Sequence, residues 1–99
     1  MIMALYQIGQ VARVSVEFET TATGTNVDPT AVTFSYRINS GSVVTYTYGV
    51  DGELVKDDTG QYHVDLALSE AGRWDWRWEG TGSNAAASEG KLIVQETEF

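Results

Sequence analysis

The stretch GRWDWRWEG, residues 72–80, sets three tryptophans, Trp74, Trp76 and Trp78, at alternate positions with charged residues between them. They are all the tryptophans of the chain. In a β-strand, residues i, i+2 and i+4 point the same way. The indoles therefore share one face, and Arg73, Asp75, Arg77 and Glu79 share the other. A strand with one buried and one wet face requires that division. A stacking platform for sugars or bases needs polar partners beside its rings, and here they lie on the opposite face. Trp74, Trp76 and Trp78 are assigned to a core. The indoles nearer the strand ends are expected at its rims, only partly covered. The charged side reads as a ladder of ion pairs, or as a docking face for another protein with Arg73 and Arg77 as contacts.

The same period of two recurs along the chain. VARVSVEF puts Val14, Val16 and Phe18 on one side. TTATGTNVDP is a turn-rich break ended by Pro29, the only proline. AVTFSYRI turns Val32, Phe34, Tyr36 and Ile38 inward. NSGS is a hairpin signal, with Gly41 able to take a positive φ. VVTYTY, the short ELVK, then YHVDLAL with Tyr62, Val64, Leu66 and Leu68 on one side, RWDWRWE and KLIVQ complete seven strands. Turns every 8 to 12 residues predict an antiparallel, seven-stranded β-sandwich. No segment shows helical period, and NAAASE is too short for more than one turn.

Length and charge narrow the functions. Ninety-nine residues make one domain. Without cysteine there is no disulfide and no thiolate metal site, so a small core leans on aromatic and β-branched packing. Six Lys and Arg against 14 Asp and Glu, net −8, argue against nucleic acid, whose binding runs on cations. The chain has no stretch of 18 apolar residues to span a membrane. MIMALYQIGQ has no basic residue and no long apolar run, so it reads as a native arm or the lead-in to a first strand, not a signal peptide. The expected organisation is an N-terminal arm at 1–7, the sandwich at 8–96 and a frayed tail at 97–99. Synthesis in the cytoplasm is expected.

Motifs that resemble chemistry lack their context. GTGSNA, residues 80–85, fits a dinucleotide fingerprint but too little chain follows for its helix and second parallel strand. Ser88 in AASEG has no α/β sheet or histidine base to serve it. His63, the only histidine, is expected as an exposed strand residue. Asp51, Glu53, Asp57 and Asp58 read as turn formers before they read as calcium ligands. No catalytic, cofactor or metal residues are assigned, and no enzyme activity is expected.

DTGQYHVDLALSEAGRWDWRW, residues 58–78, resembles the immunoglobulin-like modules of bacteria and phages. Its Asp58, Gly60 and Tyr62 look like a tyrosine corner, with Tyr62 in the core. Two strands follow this tyrosine, where antibody-type domains have one, and the cysteine pair is missing. Over residues 8–94, IGQVARVSVEF, VDPTAVTFSYR, TYTYG, LVKDDTGQYHVDL, AGRWDWRWEGTG and EGKLIV together resemble a family of small virion proteins of tailed bacteriophages. VDPT and RWEGTG are the most distinctive pieces. The resemblance implies a single Ig-like domain in the head, neck or tail of a virion, without catalysis.

The expectation is thus a phage virion structural protein, foremost a capsid decoration or cement protein on the major capsid protein shell. Its partners would be other virion proteins or further copies, with neither nucleic acid nor membrane involved. Ile2, Leu5, Tyr6 and Ile8 are the expected arm contacts, since exposed apolar strand edges pair with other chains. The alternatives are a neck or tail accessory module, or a glycan-binding adhesion module, which needs exposed rings among the tryptophans or Tyr46 and Tyr48.

Overall fold

The computed structural model describes residues 2–20, 24–82 and 86–96. Eight strands run in chain order: β1 (Ile2–Gln7), β2 (Val11–Glu17), β3 (Ala31–Ile38), β4 (Val44–Thr47), β5 (Leu54–Asp58), β6 (Gln61–Ala67), β7 (Gly72–Thr81) and β8 (Ala86–Gln95). They form a five-stranded sheet, β1-β8-β7-β3-β4, and a three-stranded sheet, β2-β6-β5. Every pairing is antiparallel except β1 with β8, which is parallel.

The stretch expected as an N-terminal arm or strand lead-in at 1–7 is largely a strand, and the expected seven antiparallel strands are, among the described residues, eight with one parallel pair. IMALYQ conceals this because it is apolar at nearly every position and shows no alternation, and its partner lies more than 80 residues away. The proposed tail at 97–99 lies outside the described residues.

The core fills the space between the sheets. Ala12, Val14 and Phe18 meet Val64, Leu66 and Leu68 on the smaller sheet's side, and Val32, Phe34, Trp74, Trp78, Leu92 and Val94 supply the larger sheet's side. Each buried indole removes roughly 150–250 Å² from water. At about 25 cal/mol per Å² this is a large gross term for a domain without disulfides.

The β3–β4 hairpin corrects the turn assignment. Positive φ falls on Asn39 (51°) and Ser40 (61°), not on Gly41. Gly41 N–H donates to Ile38 O at 2.9 Å and closes the turn. Two successive positive φ values describe a type I′ turn, whose twist matches the flanking strands. Asparagine tolerates the left-handed region. Here its side chain also works across the sheet, where Oδ1 accepts Arg73 N–H (3.0 Å) and Nδ2 donates to Ala71 O (3.2 Å).

Candidate functional site

β7 lies between β3 and β8, so each tryptophan has a neighbour on both sides. Trp78 pairs with Phe34 and Ser88, Trp76 with Tyr36 and Gly90, and Trp74 with Ile38 and Leu92. The Phe34 and Trp78 ring centroids are 4.8 Å apart, and Tyr36 stacks on Trp74 at 5.6 Å, 10° from parallel. Trp74 Nε1 donates to Glu70 O at 3.1 Å, whereas Trp78 Nε1 is buried without a partner among the described residues.

The order of coverage is the reverse of the expected one. Trp74 (2% exposed) and Trp78 (0%), toward the strand ends, are buried, and the central Trp76 is only half-buried. Trp76 lies over Gly90, where even a Cβ would collide with the indole. It lines a recess of about 190 Å³ with Tyr6, Arg13, Val14, Ser15, Lys91 and Leu92. The smaller sheet ends at β2, while the larger continues through β8 to β1. The uncovered rim therefore runs along the sandwich's side and not across its strand ends.

The charged side of β7 is an ion-pair ladder. Arg73 Nε bonds Asp75 at 3.2 Å, Arg37 Nε approaches the same carboxylate at 3.6 Å, and Arg77 Nε bonds Glu79 at 2.6 Å. Arg77 Nη1 also reaches Glu89 on β8, and Ser35 shares a hydroxyl hydrogen bond with Thr45 on β4 at 2.9 Å. Lys91 stands in register with Asp75. Four of the six cations of the chain thus share this face with three carboxylates, a net +1. The rest of a chain of net −8 accordingly carries −9. Hydrogen bonds to the carboxylates, Glu79 foremost, hold the Arg77 guanidinium above its usual range.

The expected interface residues divide between two environments. Leu5 is 66% exposed and in register with Ile93, which is in register with Arg73. β1 pairing thus brings Leu5 onto the face that carries Arg73 and Arg77. Tyr6 and Ile8 are partly buried and pack against the core. Ile2 pairs with Gly90 at the start of β1.

Tyr62 is buried, as the corner motif implied, but its hydroxyl donates to the Asp28 carboxylate at 3.0 Å. Asp28 also accepts Gly60 N–H and Lys56 Nζ, both at 2.8 Å. Burial, then the bond to Asp28, pushes the Tyr62 hydroxyl up to about 12. Lys56 and the Gly60 N–H hold Asp28 below the usual carboxylate range. A carboxyl with a depressed folded value stabilises the fold above its unfolded value and loses that contribution as pH falls through the folded one. Acid should therefore lower the melting temperature of the wild type more steeply than that of Asp28→Asn. Parallel slopes in melts from about pH 5 to pH 2 would refute the role of Asp28.

Pro29 and Thr30 of VDPT meet the other distinctive motif. A Cβ at Gly80, in RWEGTG, would stand 2.7 Å from Pro29 Cγ, and Thr30 N–H donates to Thr81 O at 2.8 Å. The two most distinctive motifs pack on one another, which gives them a structural role.

His63 is not the exposed residue expected. It is 7% exposed, with Nδ1 against the two Asp57 oxygens at 2.7 and 2.8 Å. Its Nε2 stands 4.0 Å from Asp65, which Arg13 holds at 2.9 Å. The β5–β6 register shifts between Lys56 and Asp58, so Asp57 is the extra residue of a β-bulge, a device that re-aims side chains. Asp51 and Asp58 do serve turns, accepting Thr47 N–H at 2.9 Å and Thr59 N–H at 2.8 Å. Among the described residues no three metal-ligating side chains converge. An open recess of about 400 Å³ is lined by Ser15, Val16, Glu17, Asp57, Gln61 and Tyr62.

No family model matches the chain, and no curated protein does. Solved structures do. One is the crystal structure of the ZIG-8 IG1 homodimer, similar at a TM-score of 0.54 and 15% identity over 96% of this chain and 79% of that one. At that identity the likeness concerns the fold: this chain is an all-β, two-sheet sandwich of immunoglobulin-like architecture.

Proposed function

We propose that this chain is a non-catalytic structural module of a tailed-phage virion, a decoration protein that docks on the shell of the major capsid protein. The virion assignment comes from the sequence motifs. The observation that carries docking is the segregation of charge. The outer face of the five-stranded sheet gathers four of six cations and the exposed Leu5, while the remainder is strongly acidic. A broad face whose ion pairs run across three strands suits a macromolecular surface better than a small substrate. Rim charges act mainly on encounter and orientation.

Co-sedimentation with undecorated capsid shells tests this reading. The wild type should bind saturably, and the Arg73→Glu/Arg77→Glu variant should bind at least about tenfold more weakly, at an affinity that falls with salt for the wild type. Equal binding by both would exclude this face. Binding to tail or neck assemblies in place of shells would move the module there. Adhesion is the second reading, favoured by the half-open Trp76; absent shell binding together with glycan-dependent quenching of Trp76 would select it.

A further inference from the structure

The recess over Trp76 lies beside an unpaired strand edge. In its sheet β2 bonds only to β6. Leu68 N–H donates to Gln10 O at 3.0 Å just before β2, and Phe18 N–H donates to Gly60 O at 2.7 Å just after it. The even-numbered residues of β2 therefore turn their backbone groups toward β6, and in an antiparallel pair the alternate residues turn theirs away. The N–H and C=O groups of Val11, Arg13, Ser15 and Glu17 point off the edge, and among the described residues nothing receives them. The side chains between them, Ala12, Val14 and Val16, face the core. Arg13, Val14 and Ser15 wall the recess of about 190 Å³, with Tyr6, Trp76 and Leu92 across from them. The other edges are closed or misplaced. At β4, Thr47 N–H donates to the Asp51 carboxylate, and Thr47 O accepts the Val50 and Asp51 N–H groups. β5 is broken by its bulge, a common protection of edges. At β1, Gln7 N–H donates to Gln10 Oε1 and Gln7 O accepts Gln10 N–H. A strand added to β1 would also lengthen the sheet that already overhangs, whereas one added to β2 would cover Trp76.

We infer that this edge is a docking groove for an extended segment of another protein, apolar and basic at alternate positions, which pairs with β2 as a fourth strand of the smaller sheet. Backbone pairing supplies the affinity and alternate side chains the selectivity. The pleat sends every second side chain inward, onto Trp76 and Tyr6, and the others onto the outer face. That outer face carries Arg13 against Glu17, Asp57 and Asp65, and Asp65 already holds Arg13 through two hydrogen bonds. Glu17, on the edge strand itself, has no ion-pair partner among the described residues. Lysine or arginine at the outward positions meets this charge. A second copy does not fit. The chain is net −8, and of its strands only β7 carries two cations, Arg73 and Arg77, and it is paired on both sides. The inference does not rest on the virion reading.

Calorimetric titration with a peptide that alternates lysine and valine over the seven-residue length of β2 tests it. A glutamate–valine peptide and a lysine–valine peptide with its lysines grouped are the comparisons. The wild type should bind the alternating lysine peptide with a Kd of about 10–100 µM, more weakly as salt rises, and the other two at least about tenfold more weakly. Because Trp74 and Trp78 are buried, acrylamide quenching reports on Trp76 and should fall on binding. Ser15→Pro deletes an outward N–H without touching the β6 ladder, a position at which edge strands accept proline, and should weaken binding at least about tenfold. Glu17→Lys leaves the backbone alone and should weaken binding at least about threefold. Circular dichroism melts check both folds, and Glu17→Lys decides should Ser15→Pro fail to fold. No saturable binding by the wild type, equal binding of either comparison peptide, or full binding by a folded variant would overturn the proposal. A wild-type dimer in sedimentation without peptide, dissociated by Ser15→Pro, would give the edge to a second copy and overturn it too.

Discussion

Trp78→Ala is expected to cost about 3–5 kcal/mol, the usual range for truncating a fully buried large aromatic. Trp78 is 0% exposed and packs its indole against Phe34 at the centre of the larger sheet. A domain of this size is stable by only about 5–15 kcal/mol. Its melting temperature should therefore fall by roughly 15–30 °C. Trp78→Phe provides the diagnostic contrast. It shrinks the side chain but also removes the buried Nε1–H, which has no partner among the described residues. An orphan donor costs roughly 1–3 kcal/mol, so its removal offsets part of the lost packing. Urea unfolding should place Trp78→Phe within about 2 kcal/mol of the wild type. A loss as large as that of alanine would show that the indole N–H is satisfied.

Gly60→Ala should be nearly as damaging, although it adds one methyl group. Gly60 has φ +72°, and its added Cβ would stand 2.6 Å from Phe18 O and 2.8 Å from Val27 O. Those are backbone atoms held by a hydrogen-bond chain: Phe18 N–H donates to Gly60 O at 2.7 Å, and Val27 N–H to Phe18 O at 2.9 Å. No rotamer relieves the clash. Left-handed backbone costs about 1–2 kcal/mol and overpacking about 1–3, so about 3 kcal/mol is expected in chemical denaturation. Gly49→Ala is the control. Its φ is +87° but nothing lies within 4 Å of the added Cβ, so only the conformational part remains. Equal losses at the two sites would remove the steric argument.

Sequence alternation located β2, β3, β6 and β7 because each has one buried face, which writes a period of two into the residue types. It could also assign Arg73 and Arg77 to the outside, since that follows from the pleat alone. What it missed depends on neighbours distant in sequence. The coverage of Trp76 is set by where the opposite sheet stops, and nothing near residue 76 encodes that. The burial of His63 depends on a bulge that redirects Asp57, in a Lys-Asp-Asp run that also suits a turn. Asp28 looked like a break residue before proline, yet it joins two loops by receiving Gly60, Tyr62 and Lys56. The grouping of Leu5 with Arg73 required β1 to be a strand, which its uniformly apolar sequence did not announce.

The parallel β1–β8 pair has a mechanical consequence. Six register pairs, from Ile2 with Gly90 to Gln7 with Gln95, join the first strand to the last. Because the strands run in the same direction, Ile2 and Gln95 lie at opposite ends of the pair. Tension applied between those two residues pulls the strands past each other along their length. The evenly spaced hydrogen bonds of a parallel ladder then bear the load together, in shear, instead of opening one after another. Pulled by these strands, the domain is built to resist extension before it begins to unravel.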